Sequence, residues 1–373
     1  MNLFRCQFCQ NPLHFDNTLC TGCGRRVGYI QEEFEMAALE PDGPAWRALA
    51  RPGQSYALCA NVEYGVCNWL MDASDGRTIC KSCRHNHIIP DLSVPGNRER
   101  WRKIELAKRY VFRSLMRWRL PIPDRLDDPL HGLVFDFKGD ESKADGTVEK
   151  VLTGHDEGVV ALNISEADDA EREARRTSMG EPYRTLIGHF RHEIGHFYWD
   201  RLIRDTGAFE GFRDVFGDER QDYAEALNRH YVCGPPVGWR ESFISGYATS
   251  HPWEDFAETW AHCLHIVDSL ETAHSYGIDI KPGVLLEAGD KPFGISPYCA
   301  KSISDLVRAW VPLTVAISGV NRSMGQPDLY PFVLSNPVIE KLGFIHALIR
   351  NNAEPMGSAR APIFREGFHT ADV

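Results

Sequence analysis

No apolar run in this chain is long enough to cross a bilayer; the longest, Trp310 to Ser318, falls far short of the ~20 residues a spanning helix needs. No charged-then-apolar leader opens the sequence either, because Cys6 and Cys9 already form a knuckle there. Positive charge is in deficit, with 41 Lys and Arg against 52 Asp and Glu, a formal charge of −11. That balance argues against nucleic-acid binding over the whole surface. Internal repeats are absent apart from two cysteine modules, and there is no long low-complexity tract. What remains is a 373-residue globular composition, 43% hydrophobic and 25% charged, with room for two or three domains. These absences, with many free thiols, lead us to expect a cytoplasmic protein with no membrane partner.

Cysteine is present and patterned. Cys6-x2-Cys9 and Cys20-x2-Cys23 are two knuckles ten residues apart, with Gly22 and Gly24 permitting tight turns. Four thiolates so spaced read as a closed tetrahedral zinc site of ribbon type. Cys59, Cys67, Cys80 and Cys83 form a second set, in which the seven-residue gap between the first two is unusually wide. A second structural zinc is expected there, with His85 or His87 as substitutes for a cysteine ligand. Tyr56, Tyr64, Trp69 and Ile79 are candidates to pack a small core around it. Modules this small bury too little apolar surface to fold alone, so the metal supplies much of the folding free energy. Cys233, Cys263 and Cys299 stand outside both sets and read as reduced, buried small residues.

The most informative stretch is His192-Glu193-Ile194-Gly195-His196. Imidazoles four apart on a helix share a face and can bind one zinc, and the intervening glutamate is placed to take a proton from a water on the metal. Around it, Tyr183, Leu186, Ile187, Phe190, Ile194, Phe197 and Tyr198 recur at helical spacing, with Pro182 suited to the first turn. His192 points ~180° and His196 ~140° away from that apolar stripe. Gly188 and Gly195 lie on the histidine face, where each costs ~1 kcal/mol relative to Ala. A cleft floor accounts for them.

A catalytic zinc takes a third protein ligand and leaves one position open. The best source is the stretch from Ser245 to Glu258. Pro252 marks a helix start after Ser250 or His251, and Phe256, Trp260, Leu264 and Val267 carry the helix to about Asp268. Glu254 and Glu258 share one of its faces, and His262 extends that face by a turn. Asp200, four past His196, is a rival ligand; Asp214, Glu219, Asp222 and His230 are further rivals in the intervening segment. Here the chain resembles the gluzincin metallopeptidases, in which a glutamate from a second helix completes the site. Its local wording resembles still more nearly the catalytic domain of anthrax lethal factor, where a tyrosine stands seven residues before a Glu-x-Phe-Ala-Glu sequence, as Tyr247 stands to Glu254. The resemblance covers about 182–268. It implies Glu254 as third ligand, Tyr247 as donor to the developing oxyanion, and Glu258 as a residue orienting a ligating imidazole. With cysteine modules ahead of this block, the whole chain resembles a bacterial family of zinc-binding metallopeptidases with an N-terminal zinc-ribbon domain.

The expected fold is therefore α+β: zinc-ribbon modules over 1–30 and 55–92, a basic amphipathic linker helix over 95–120, a mainly helical zincin-like core with a small sheet over 128–270, and a helical buttress over 271–373. Between Arg98 and Arg119 nine Lys and Arg face only Glu99 and Glu105. That basic face reads as a solvated or acid-paired surface, and it keeps nucleic acid open as an alternative partner. Residues 133–137 and 159–164 read as strands, 166–178 as a loop or short helix, 211–233 as one helix, and 298–318 and 337–351 as further helices, the first kinked at Pro312 and the second capped by Asn336. The expected activity is zinc-dependent hydrolysis of a peptide or protein substrate, with the N-terminal modules recruiting substrate or regulating access. The alternative is a zinc-ribbon adaptor for protein or nucleic acid with a latent metallopeptidase-like domain.

Overall fold

The computed structural model describes residues 2–142, 148–149, 151, 153–178, 183–278, 280 and 296–354. The chain opens with a two-stranded ribbon, β1 (Phe4–Arg5) and β2 (Pro12–Leu13), carrying the first cysteine set. Next comes a closed barrel of β3 (Val27–Ile30), β4 (Glu35–Asp42), β5 (Ala45–Ala48), β6 (Ser55–Leu58) and β7 (Trp69–Asp72). Four antiparallel pairings and one parallel pairing, β3 with β7, close it. Ile30, Ala37, Leu39, Ala48, Tyr56 and Leu70 form a core of their own within it. Nothing in the sequence pattern announced this barrel: β3 is buried at every position, so it shows no two-residue alternation.

The second cysteine set brackets the barrel's last strand, with Cys59 and Cys67 before β7 and Cys80 and Cys83 after it. The wide gap accommodates a single turn of 3-10 helix, Ala60–Val62. Trp69 and Tyr56 are buried as expected, whereas Tyr64 is exposed.

β8 (Asn86–Ile88) then joins a second sheet with β9 (Val134–Lys138), β12 (Gly154–Asp156) and β13 (Val159–Asn163), in the order β12-β13-β9-β8. Residues 159–163 are thus an inner strand, parallel to β9, and β12 and β8 are the two edges of this sheet. A minor ribbon pairs β10 (Glu141–Ser142) with β11 (Val148–Glu149). The cysteine-rich N-terminal part therefore contributes a strand to the sheet of the second half, and one hydrophobic core runs from Cys6 to Ile349.

Helix α1 (Asn97–Arg117) is a keystone rather than a basic surface. Lys108, Arg109 and Arg113 are buried. Arg113 Nη1 reaches Glu271 Oε2 at 2.7 Å, Lys108 pairs with Glu105 at 3.0 Å, and Arg109 donates to Asn68 beside the barrel. Ser114 Oγ donates to Asp268 at 2.6 Å. Lys108, Arg109 and Arg113 are thereby spent inside the fold, and nearer the helix start Arg100 and Lys103 pair with Asp168 and Asp169 and Arg102 with Glu99, the acid-paired face expected from the sequence.

Among the described residues seven helices follow: α2 (Asp169–Ser178), α3 (Leu186–Trp199), α4 (Phe209–Phe216), α5 (Tyr223–Cys233), α6 (Pro252–Ser275), α7 (Ile303–Ser323) and α8 (Asn336–Asn351). The expected helix over 211–233 is two, broken at Gly217, whose φ of 97° no ordinary side chain adopts easily. Ser335, not Asn336, caps α8, its hydroxyl accepting from Val338 N–H. Pro312 lies inside α7, which continues to Ser323. By length and composition α7 is the one described helix that could span a membrane. It packs Leu306, Trp310 and Leu313 into the core as part of the layer against α6 and α8.

Candidate metal centre

α3 starts at Leu186, later than Pro182, because the Thr185 hydroxyl accepts from Gly188 N–H at 3.0 Å and caps it; Glu181 and Pro182 lie outside the described residues. Leu186, Phe190, Ile194, Phe197 and Tyr198 are buried, anchoring the helix by the stripe read from the sequence. α6 starts at Pro252, with His251 Nδ1 accepting from Trp253 N–H at 3.1 Å. The two helices cross at Gly195, where an added Cβ would lie 2.9 Å from Ala257 Cα and 3.2 Å from its carbonyl oxygen. The glycine makes room for a helix backbone, not for a cleft floor. Gly188 is likewise occupied, by the Thr185 cap at 2.9 Å. Gly195→Ala should destabilise the fold by about 1–3 kcal/mol, the range for overpacking a tight contact, read as a lower denaturation midpoint at unchanged slope. An unchanged midpoint would mean that the crossing has slack.

That crossing brings three donor atoms together. His192 Nε2 lies 3.0 Å and His196 Nε2 3.3 Å from Glu254 Oε2, and the two nitrogens are 3.1 Å apart. All three residues are buried, and among the described residues Glu254 Oε2 has no hydrogen-bond partner. A tetrahedral zinc with bonds of ~2.0–2.1 Å sets its ligand atoms ~3.3–3.4 Å apart. The triangle therefore fits zinc. Burial opposes charge on Glu254, yet the two imidazoles hold its carboxyl well below the usual range.

A tier of supporting contacts fixes the ligands. His192 Nδ1 donates to Glu258 Oε1 at 2.8 Å, and Ser245 Oγ donates to the other oxygen of Glu258 at 2.6 Å. Such outer bonds set the ring's tautomer and orientation. The Tyr223 hydroxyl donates to Glu254 Oε1 at 2.5 Å. No local sequence signal marks Tyr223, since α5 reaches the site only through the fold. The His196 ring lies on Trp253, with centroids 3.7 Å apart, and the His155 ring from β12 stacks with His196 at 6.4 Å. The Tyr247 ring is 5.9 Å from that of His192, and its hydroxyl makes no hydrogen bond among the described residues.

The rival ligands are engaged elsewhere. Asp200, in a π-helical turn, pairs with Arg204 at 3.2 Å. Glu219 is held by Arg213, and Asp222 caps α5. His262 Nδ1 meets the Tyr330 hydroxyl at 2.6 Å, and His230 Nδ1 is 3.3 Å from Thr249 Oγ1. Asp214 is not among the residues converging on the site.

Both cysteine sets converge as well, each with its four sulfurs within 4.8 Å of one another. Cys6 and Cys23 are 3.8 Å apart, Cys9 and Cys20 3.5 Å, and Cys67 and Cys80 3.7 Å. Zinc–sulfur bonds of ~2.3 Å imply about 3.8 Å. His85 and His87 are not needed: His85 Nδ1 bonds the Leu133 carbonyl at 2.6 Å and His87 pairs with Asp136 at 2.8 Å. Of the three remaining cysteines only Cys263 is buried; Cys233 and Cys299 are exposed, against expectation.

A family model described as "Putative zinc-binding metallo-peptidase" matches residues 97–348. The chain belongs to this metallopeptidase family. A zinc-ribbon domain model matches residues 3–94, the part carrying both cysteine sets and the barrel. Uncharacterized proteins of Mycobacterium tuberculosis and Mycobacterium bovis are 39% identical over 364 residues, covering 96% of this chain and 99% of theirs. No solved structure matches. The family's zinc chemistry thus meets a centre whose three donors come from α3 and α6, both within the matched region.

Proposed function

We propose that the protein is a zinc-dependent peptidase in which His192, His196 and Glu254 hold the catalytic ion and the two cysteine sets, Cys6/Cys9/Cys20/Cys23 and Cys59/Cys67/Cys80/Cys83, hold structural ones. The observation that carries this is the buried three-atom triangle, with Glu193 one residue from its first member. Zinc bound there supplies a Lewis acid that polarises a carbonyl and brings the pKa of water toward ~7. Glu193, the general base in this reading, takes the proton from the attacking water and passes it to the leaving amine. Its carboxyl is held below the usual range: burial opposes this, but His189 and the zinc-site imidazoles outweigh it. Tyr247, with a free hydroxyl on the His192 side, donates to the oxyanion. Glu258 and Tyr223 orient the ligands.

β12, the sheet edge beside α3, is the element suited to pair with an extended substrate backbone, which favours peptides as the substrate class. The N-terminal zinc modules, sharing a core with the catalytic half, act in recruitment or access. Incubating the zinc-loaded chain with a proteome-derived peptide library, with and without a chelator, tests the function; zinc-dependent new termini support it, and an unchanged library contradicts it. Tyr247→Phe should slow turnover by about 10²–10³-fold, the cost of one oxyanion donor, with zinc content unchanged. Equal kcat in the two proteins would remove Tyr247 from the mechanism.

A further inference from the structure

Glu193 is held from behind. His189, one helical turn earlier on α3, places Nε2 at 3.2 Å from Glu193 Oε1 and Nδ1 at 2.8 Å from Glu166 Oε2. Glu166 comes from the turn after β13 and is 1% exposed. Its other oxygen receives Arg175 from α2 at 3.2 Å, Arg184 from the segment before α3 at 3.3 Å, and the Thr153 hydroxyl at 3.3 Å. Ionised carboxylates only accept hydrogen bonds, so a ring bonded to one at each nitrogen donates from both and is the imidazolium cation. The surroundings agree. Burial would discharge His189, yet Glu166 and Glu193 raise its pKa to about 9. Burial likewise opposes charge on Glu166, but His189, Arg184 and Arg175 bring its pKa to about 2.

A buried carboxylate with this many donors is more than packing requires, because each buried charge carries a desolvation cost. The arrangement fixes one oxygen of Glu193 and leaves Oε2 without a hydrogen bond among the described residues, free to accept a proton. We propose that His189, locked by Glu166, is a positioning residue that clamps the Glu193 carboxylate beside the metal centre. This inference rests on the reading of Glu193 as general base. The clamp acts through Glu193 and touches neither substrate nor ion. A carboxylate turned aside by an ångström loses about 10²-fold in rate, the typical penalty for misplacing a catalytic group.

The test uses the full, zinc-loaded chain labelled with 15N. Long-range proton–nitrogen spectra at pH 7.5 should show the His189 ring doubly protonated in the wild type and neutral in Glu166→Gln. On a peptide found in the library screen, Glu166→Gln and His189→Gln should each lower kcat about 10²-fold with KM and zinc content unchanged, and Glu166→Asp should recover part of the loss. Because Glu166→Gln also strips Arg175 and Arg184 of a charged partner, His189→Gln is the cleaner variant for kinetics. A neutral His189 in the wild type, or wild-type kcat in His189→Gln, overturns the clamp. Should the wild type hydrolyse no peptide, the peptidase reading fails while the ring spectra still decide whether the clamp exists.

Discussion

Glu193→Gln is expected to bind zinc as the wild type does and to lose turnover by about 10²–10⁴-fold, the usual contribution of a positioned general base. The substitution keeps the side chain's shape and its bond from His189, because the amide oxygen can still accept at 3.2 Å. The proton acceptor is what disappears. His192, His196 and Glu254 are untouched, so metal content separates a chemical defect from a structural one. Steady-state rates on a library-derived peptide, alongside zinc analysis of both proteins, check this. A glutamine variant that cleaves at the wild-type rate would show that no base acts at this position.

The second large effect lies some way along the chain from the catalytic centre. Cys80→Ser should release one zinc equivalent and unfold the region around β7 and β8. A structural zinc is worth roughly 10–16 kcal/mol at pH 7 in small metallo-domains, as much as the ~5–15 kcal/mol net stability of a typical protein. Cys59, Cys67, Cys80 and Cys83 are all buried in the principal core, so loss of the ion would not stay local. β8 is an edge of the sheet that also holds β9, and Arg109 of α1 bonds Asn68, which follows Cys67 and donates to the Phe15 and Asn17 carbonyls of the first cysteine module. The catalytic half should therefore lose thermal stability too. Limited proteolysis and thermal melts of zinc-counted samples would show it. A variant lacking one zinc but melting like the wild type would mean that the barrel and sheet stand without the metal.

Much of this centre could be read before any coordinates because it is written in helical spacing. His192 and His196, and Glu254 and Glu258, are each four apart, so each pair shares one face of its helix whatever the tertiary fold. Paired cysteine knuckles are equally local. What escaped reading is what distance in sequence conceals. Tyr223 meets Glu254 across 31 residues, and Glu166 meets His189 across 23; neither has a neighbouring pattern that advertises the contact. The barrel escaped because strands buried on both faces lose their alternation, as in β3. α1 misled for the opposite reason. Arg113 and Arg117 looked like surface cations only because Glu271, which pairs with both, lies some 150 residues away. Gly195 was recognised as a need for space, but sequence could not say that Ala257's backbone would fill it.

The central claim is that two helices bring two imidazoles and one carboxylate to a single ion. Diffraction data collected on either side of the zinc absorption edge, from crystals of the full chain, test it directly. The account predicts an anomalous peak ~2.0–2.2 Å from His192 Nε2, His196 Nε2 and a Glu254 oxygen, besides one within each cysteine set. Zinc in the cysteine sets alone, with nothing between α3 and α6 at saturating zinc, would contradict it.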